Sequence, residues 1–257
     1  MYIRGLRALV RHRDDLVKQC TQVKLRIRAA LRNHRIVCPL NPWTKKGKKW
    51  LLDDSNITDP TLQFLLQENY ETIDFLNKKI DLVTSKMKSA VAHDDVVKKL
   101  LEQPGIGIIT AITMRAIIGR FDRFRTGKQL AHFAGVSPRN NSSAGKTTTG
   151  GLVKAGDELL RQVLIEAAHR LKRYDKKWKA MAERLRANGK QRCVIAAAVA
   201  NRWVRWLFRQ MVEPQRIAET NVGFLRHRQE STLLESPADG ETMGLATSEG
   251  LVHNVLP

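Results

Sequence analysis

Between residues 4 and 35, apolar side chains return every three or four positions: Leu6, Leu9, Val10, Leu16, Val17, Cys20, Val23, Ile27, Ala30 and Leu31. That period predicts one long helix with a single buried stripe. Pro39 and Pro42 break it. Thr44-Lys45-Lys46-Gly47-Lys48-Lys49 then forms a polar, basic loop between Trp43 and Trp50. A second long helix is expected from Pro60 to Val91. Its stripe is Leu62, Leu65, Leu66, Asn69, Ile73, Leu76, Ile80, Val83 and Met87. The pattern approaches a heptad repeat, with Asn69 as the polar seam residue that can fix register. The two helices are expected to pair, within one chain or between chains.

From Val96 onward the elements shorten. Asp94-Asp95 reads as a helix cap. Leu100-Leu101 leads into Pro104-Gly105-Ile106-Gly107, and Ile108–Ile118 follows as an apolar helix stopped by Gly119. Thr126 caps a short helix, Lys128 to Phe133, that Gly135 ends. Residues 136–151 are too polar for a core and read as a loop. Glu158–Leu171 is an amphipathic helix, residues 172–189 are polar and basic with Trp178 as an anchor, and Gln191–Met211 is again helical. The expected fold class is all-α. An antiparallel, coiled-coil-like arm (1–92) precedes a compact helical domain (93–213) and a tail (214–257) whose polar composition predicts disorder.

Charge narrows the function. The formal net charge is +20 and the pI about 10.3. Such a chain repels itself unless a polyanion screens it, so nucleic acid is the expected partner. Residues 1–50 hold fourteen lysines and arginines against Asp14 and Asp15 alone. No apolar run approaches the ~20 residues that span a bilayer, so no membrane partner is expected. The start Met1-Tyr2-Ile3-Arg4 lacks a signal-peptide core. Cys20, Cys38 and Cys193 have no metal-ligand spacing, and a cytoplasmic protein with reduced thiols is expected. The pairs Asp14-Asp15, Asp53-Asp54 and Asp94-Asp95 are sequence neighbours, which diverge on a helix rather than converging on one ion.

Two stretches carry candidate binding chemistry. Gly105 and Gly107 permit a tight turn and leave the N–H groups of the following helix open to a phosphate oxygen. This has the shape of a helix-hairpin-helix element; a helix pair packed only on its own core has the same sequence. Lys45, Lys46, Lys48 and Lys49 beside two tryptophans suit a nucleic-acid strand. Equally, the tryptophans can simply fasten the loop to the helices.

The order of motifs resembles one family. It runs Pro-Gly-Ile-Gly (104–107), Phe-Arg-Thr-Gly-Lys-Gln-Leu-Ala-His-Phe-Ala-Gly-Val-Ser-Pro (124–138), Ser-Ser-x-Gly-Lys (142–146), Gly-x-x-x-Lys-x-Gly (150–156) and Leu-Leu-Arg (159–161). Over about Val96 to Leu171 this is similar to the C-terminal domain of insertion-sequence transposases of the IS-one-ten type, relatives of the Piv DNA invertase. The resemblance implies DNA transposition by a two-part site. An N-terminal RuvC-like domain binds magnesium through four acidic residues, and a serine of the C-terminal domain becomes joined to DNA. That serine maps onto Ser143, with Ser142 as the fallback. Lys146, Lys154 and Arg161 are the nearest candidates to hold phosphate. DNA, a structured guide RNA and further copies of the chain, as dimer or tetramer, are the implied partners.

Met1–Arg7 is similar to the segment that follows the RuvC-like domain, so the acidic positions are expected to be missing. No cofactor is then expected in this chain, magnesium entering only with that domain, and the chain alone is expected to be inactive. Ala144 stands where the family usually has glycine, and Thr147–Val153 replaces an Arg/Lys-rich strip. The alternative is a non-catalytic, basic nucleic-acid-binding protein. His132 and His169, each a loop away from Ser143, are expected to be structural.

Overall fold

The two long periodic stretches are the helices α1 (Tyr2–Asn33) and α3 (Pro60–Ala90). The computed structural model describes residues 2–143, 146–153 and 155–212, with the side chains of 140–150 left out; the expected tail, 214–257, lies outside the described residues. α1 and α3 pair antiparallel. Arg13 Nε, early in α1, donates to Thr84 Oγ1, late in α3, at 2.8 Å, whereas Cys20 Sγ meets Asn77 Oδ1 at 3.8 Å. At 1.5 Å per residue the arm is roughly 48 Å long. Leu16, Cys20, Val23, Ile27 and Leu31 bury against Leu62, Leu66, Tyr70, Ile73 and Leu76.

The seam differs from expectation at one turn. Tyr70, not Asn69, is the buried residue, and Leu65 is exposed. Tyr70 can sit there because its hydroxyl donates to Pro42 O at 3.0 Å. Burial, then the neighbouring Cys38, raises its phenol to about 12. Asn69 instead turns back along its own helix and donates to Leu65 O at 2.6 Å.

The basic stretch after Trp43 is helical, not a loop: α2 spans Lys45–Leu51, and Thr44 caps it by accepting from Gly47 N. Pro60 occupies the first turn of α3, where a missing N–H costs nothing, and Asp59 caps it through the N–H groups of Thr61 and Leu62.

At its other end the arm enters the main core. Leu6, Val10, Met87 and Val91 share one buried cluster with the helices that follow. These are α4 (Asp95–Leu101), α5 (Ile108–Ile118), α6 (Gly127–Phe133), α7 (Glu158–Tyr174) and α8 (Lys176–Ala187). The ninth helix, α9, covers residues 192–212. Residues 1–214 make one compact unit. α5 is its centre: Ala111, Ile112, Met114, Ala116, Ile117 and Ile118 are all buried, as expected of a helix apolar on every side. The polar, basic stretch read over 172–189 holds the end of α7 and all of α8. Trp178 anchors it, as its sequence suggested.

The polar stretch after Val136 is a hairpin, not a loop. β1 (Pro138–Ser143) and β2 (Lys146–Leu152) pair antiparallel, with an irregularity between Pro138 and Asn140. This two-stranded sheet is the only one among the described residues, and the fold is all-α.

Asp94 ties the arm to the core. Its carboxylate caps α4, accepting from Val96 N at 2.9 Å and Val97 N at 3.2 Å, and also takes Arg115 Nε at 2.7 Å and the Tyr2 hydroxyl at 3.0 Å. Burial pushes this carboxyl up, but Arg115, the Val97 amide and Tyr2 outweigh it and hold it below the usual aspartate value. The other pairs are likewise spent on structure: Asp14 on Lys18 at 2.8 Å, and Asp53 on the Ser55 amide at 3.0 Å.

Candidate nucleic-acid interface

The hairpin is held at its root. Val153 N donates to Ser137 O at 3.0 Å, and Arg161 Nη1, from the first turns of α7, donates to Val153 O at 3.0 Å. Asn201 Nδ2, from α9, donates to Val136 O at 3.1 Å and lies 3.4 Å from Ser137 Oγ. Beneath these bonds two backbones cross. A Cβ on Gly156 would stand 2.4 Å from Gly135 N, closer than any side chain can come. The Gly-x-x-x-Lys-x-Gly pattern therefore has a packing cause at its last position.

From this root the strands run out to Ser142, opposite Thr147, and Ser143, opposite Lys146. The backbone places Ser143 at the end of the ladder farthest from its anchorage, with Lys146 as its register partner. The side chains of Ser142, Ser143 and Lys146, and all of Lys154, lie outside the described residues. Arg161 is half-buried and acts as a clamp on the hairpin root. His132 and His169 are exposed on α6 and α7.

The Pro-Gly-Ile-Gly turn joins α4 to α5, and its two glycines do different things. Gly105 has φ +80, and a Cβ there would meet Leu171 Cγ at 2.8 Å; its carbonyl accepts from Arg170 Nε at 3.0 Å. This glycine is required by the fold. Gly107 has φ −97, open to any residue, and nothing lies within 4 Å of its Cβ position. That corrects the expectation that both glycines serve backbone angles. Gly107 is the N-cap of α5, and no side chain caps that end. Beside the turn, Arg13, Arg170, Asp14 and Glu166 line a cleft of about 720 Å³.

On the arm, Lys45, Lys46 and Lys49 are exposed. Lys48 is tied down: its Nζ lies 2.7 Å from Asp74 Oδ2 and over the Tyr70 ring. Trp43 is half-buried with Lys24 and Arg28 of α1 over its ring, so it fastens this segment to the arm. Lys45–Lys49 and the Ser143 hairpin are thus separate features, on the arm and on the main core respectively.

Sequence reasoning missed a further cationic group on α7, α8 and α9. His169 and Lys172 of α7 sit close to Arg192. Burial first, then the charges of Lys172 and Arg192, lower the His169 pKa, and burial, Arg192 and Arg186 lower that of Lys172. Like charges crowded this closely are what a bound polyanion relieves.

Among the described residues no three His, Cys, Asp or Glu side chains come together. They offer no carboxylate set of the kind that holds a magnesium ion. No helix of the described residues is long and apolar enough to cross a membrane.

The part of the chain that carries this hairpin is the part that comparisons with known proteins match. Residues 97–183 match the model of the Transposase IS116/IS110/IS902 family. The chain is similar to the transposase for insertion sequence element IS1328 of Yersinia enterocolitica, 28% identical over 164 residues, covering 64% of this chain and 49% of that protein. It is also similar to the transposase for IS1111A of Coxiella burnetii, 27% identical over 217 residues, with coverage of 78% and 57%. A probable family 20 transposase of Pseudomonas aeruginosa is 28% identical over 220 residues, with coverage of 79% and 62%. The chain thus spans about half to three fifths of the length of these relatives.

Proposed function

We propose that the chain acts in DNA transposition, gripping nucleic acid on its cationic helices and presenting Ser143 to a scissile phosphate. The observation that carries this reading is the family domain at 97–183 with its hairpin, which sets Ser143 opposite Lys146 at the end of a rigidly rooted ladder. In the step itself, the serine oxygen forms a bond to phosphorus and the bond to the leaving strand breaks. The leaving oxygen ends with the proton that the hydroxyl gives up. A serine hydroxyl is a weak nucleophile until it is activated. The reading therefore includes a RuvC-like domain that completes the site. A structured guide RNA and assembly into dimers or tetramers belong to the same reading.

Gly107 supports the grip. It has room for a side chain and backbone angles that accept one, and it opens a helix end without a cap. A phosphate oxygen suits such an end.

The test is a strand-cleavage assay on element-end DNA, with and without a separately supplied RuvC-like domain, scored for a covalent protein–DNA adduct. The expected result is an adduct that Ser143→Ala abolishes and Ser142→Ala retains. Binding with no adduct under any condition would replace this reading with that of a non-catalytic nucleic-acid-binding protein.

A further inference from the structure

α8 and α9 face each other across a cleft of about 590 Å³. Five cations line it: Lys177 and Arg184 from α8, and Arg202, Arg205 and Arg209 from α9. Each set repeats at helical spacing, so each forms a stripe on one face. Among the described residues none of the five makes an ion pair. Five unpaired cations on the walls of one cleft repel one another. The walls themselves are fixed. Gly127, at the start of α6, lies so close to α9 that a Cβ would come within 2.9 Å of Arg205 O.

The cleft is also aromatic. Lys177 Nζ lies 5.1 Å from the Trp178 ring and 5.5 Å from the Trp206 ring. Trp178 is buried as the floor, and Trp206 is half-buried. Arg184, Arg202 and Arg209 are exposed at the rim.

We propose that this cleft binds a single nucleic-acid strand, its phosphates on the arginine stripes and a base against the Trp206 edge. The proposal rests on the nucleic-acid reading above and assigns it a place separate from the hairpin. Seven residues of helix, the span of each stripe, measure roughly 10.5 Å. That is the span of a short run of nucleotides, as in grooves that track a single strand. A cleft of this volume encloses a small-molecule-sized group, such as a nucleotide, whereas a duplex would rest on its rim. Cations beside an indole are the usual means of holding a strand without reading its sequence.

The test uses the full chain and labelled 12-nucleotide probes: single-stranded DNA, single-stranded RNA and duplex DNA, followed by fluorescence anisotropy over a salt series. The groove variant is R184E/R202E/R209E, and R202Q/R209Q is a milder partner for use if reversal impairs folding, judged by the thermal melt. The control is K78E/K86E/K88E, the same charge change on α3.

The expected result is at least a tenfold loss of single-strand affinity in the groove variant, with a shallower salt slope, against a loss of less than twofold in the control. Duplex affinity should fall less than single-strand affinity. Whether the loss is larger for RNA or for DNA identifies the source of the strand. Four outcomes overturn the proposal: wild-type single-strand affinity in both groove variants, equal losses in groove variant and control, equal losses for duplex and single strand, or displacement of the strand by oligoglutamate at equal charge concentration. In each of these, persistent binding by the wild-type chain leaves the broader reading standing. A wild-type chain that binds none of the three probes at low salt would instead remove that reading, and this proposal with it.

Discussion

Three residues show how differently one chemistry can be used. Gly107 and Gly156 belong to the two glycine motifs that carried the family resemblance, yet only Gly156 is needed for packing. Gly156→Ala drives a methyl into the Gly135 backbone, where no flexible side chain can give way. Overpacking of this kind costs about 1–3 kcal/mol or more, so the melting temperature should drop by several degrees and adduct formation should fail. Gly107→Ala should melt as the wild type does and lose nucleic-acid affinity severalfold. A Gly107→Ala protein with unchanged affinity would remove the α5 N-terminus from the interface. Asp94 makes the opposite case, a residue whose charge matters to the fold. The Asp94–Arg115 pair is mostly shielded, with side-chain exposures of 7% and 16%. Removing one partner of a buried pair strands the other, so Asp94→Ala should cost about 3 kcal/mol in urea unfolding. The folded carboxyl lies below its ordinary value. Its contribution is therefore full above the unfolded pKa near ~3.9 and lost as pH falls through the folded pKa. Asp94→Asn should flatten the acid limb of the stability profile below about pH 4. An unchanged acid limb would show that the pair does not govern it.

At the scale of elements, the sequence was legible wherever burial imposed a period. α1, α3, α5 and α7 bury one stripe or are buried all round, and their ends fall within a few residues of those read from caps, prolines and glycines. Elements that bury little were not legible. α2 is four lysines and a glycine ahead of Trp50 and Leu51, and the short stripe of α8, Trp178, Met181, Ala182 and Leu185, is set among charged residues. The hairpin reads Pro-Arg-Asn-Asn-Ser-Ser and Lys-Thr-Thr-Thr-Gly-Gly-Leu, strands with almost nothing apolar to alternate. What holds it is its root, a backbone crossing and two side-chain clamps from distant helices, and no local window contains those. The α8–α9 cleft was hidden for a related reason. Its cations form a stripe only once the helices are known, and the 172–189 segment was read only as polar and basic with Trp178 as an anchor. The Tyr70 shift has a simpler origin: a strict heptad reading selects position 69, whereas the actual turn steps four residues from Leu66 and finds a hydroxyl partner in Pro42 O. The hairpin root makes its own prediction. Asn201→Leu removes the bond from α9 to Val136 O while filling similar space. It should leave the melting temperature within a few degrees but lower the adduct yield, because the serine ladder loses one of its clamps. A normal yield in Asn201→Leu would mean that α9 does not position the hairpin.

For the whole molecule the decisive property is where the charge collects. Asp14, Asp74, Asp94, Asp95 and Asp157 are engaged with arginines or lysines on the arm, at its junction with the core and at the start of α7. Among the described residues the cations of α7, α8 and α9 have no such partners: His169 and Lys172 feel the charge of Arg192, and five more line the α8–α9 cleft. A strand bound among Lys172 and Arg192 should be felt by His169. In the free chain, burial, then Lys172 and Arg192, hold its pKa below 6.5, with Glu166 opposing them weakly. A phosphate among these cations offsets their repulsion and raises that pKa. A ligand that raises a group's pKa binds more tightly as the group protonates, so affinity for single-stranded nucleic acid should increase as pH falls from about 7.5 to about 5.5. His169→Gln should remove that increase while keeping the affinity at pH 7.5, and the His169 ring resonances should titrate at higher pH in the complex than in the free chain. The same binding should weaken steeply with salt, on the order of a hundredfold between ~50 and ~200 mM for about five phosphates held. An affinity indifferent to both pH and salt would mean that the strand lies elsewhere and that the charge on this flank serves another partner.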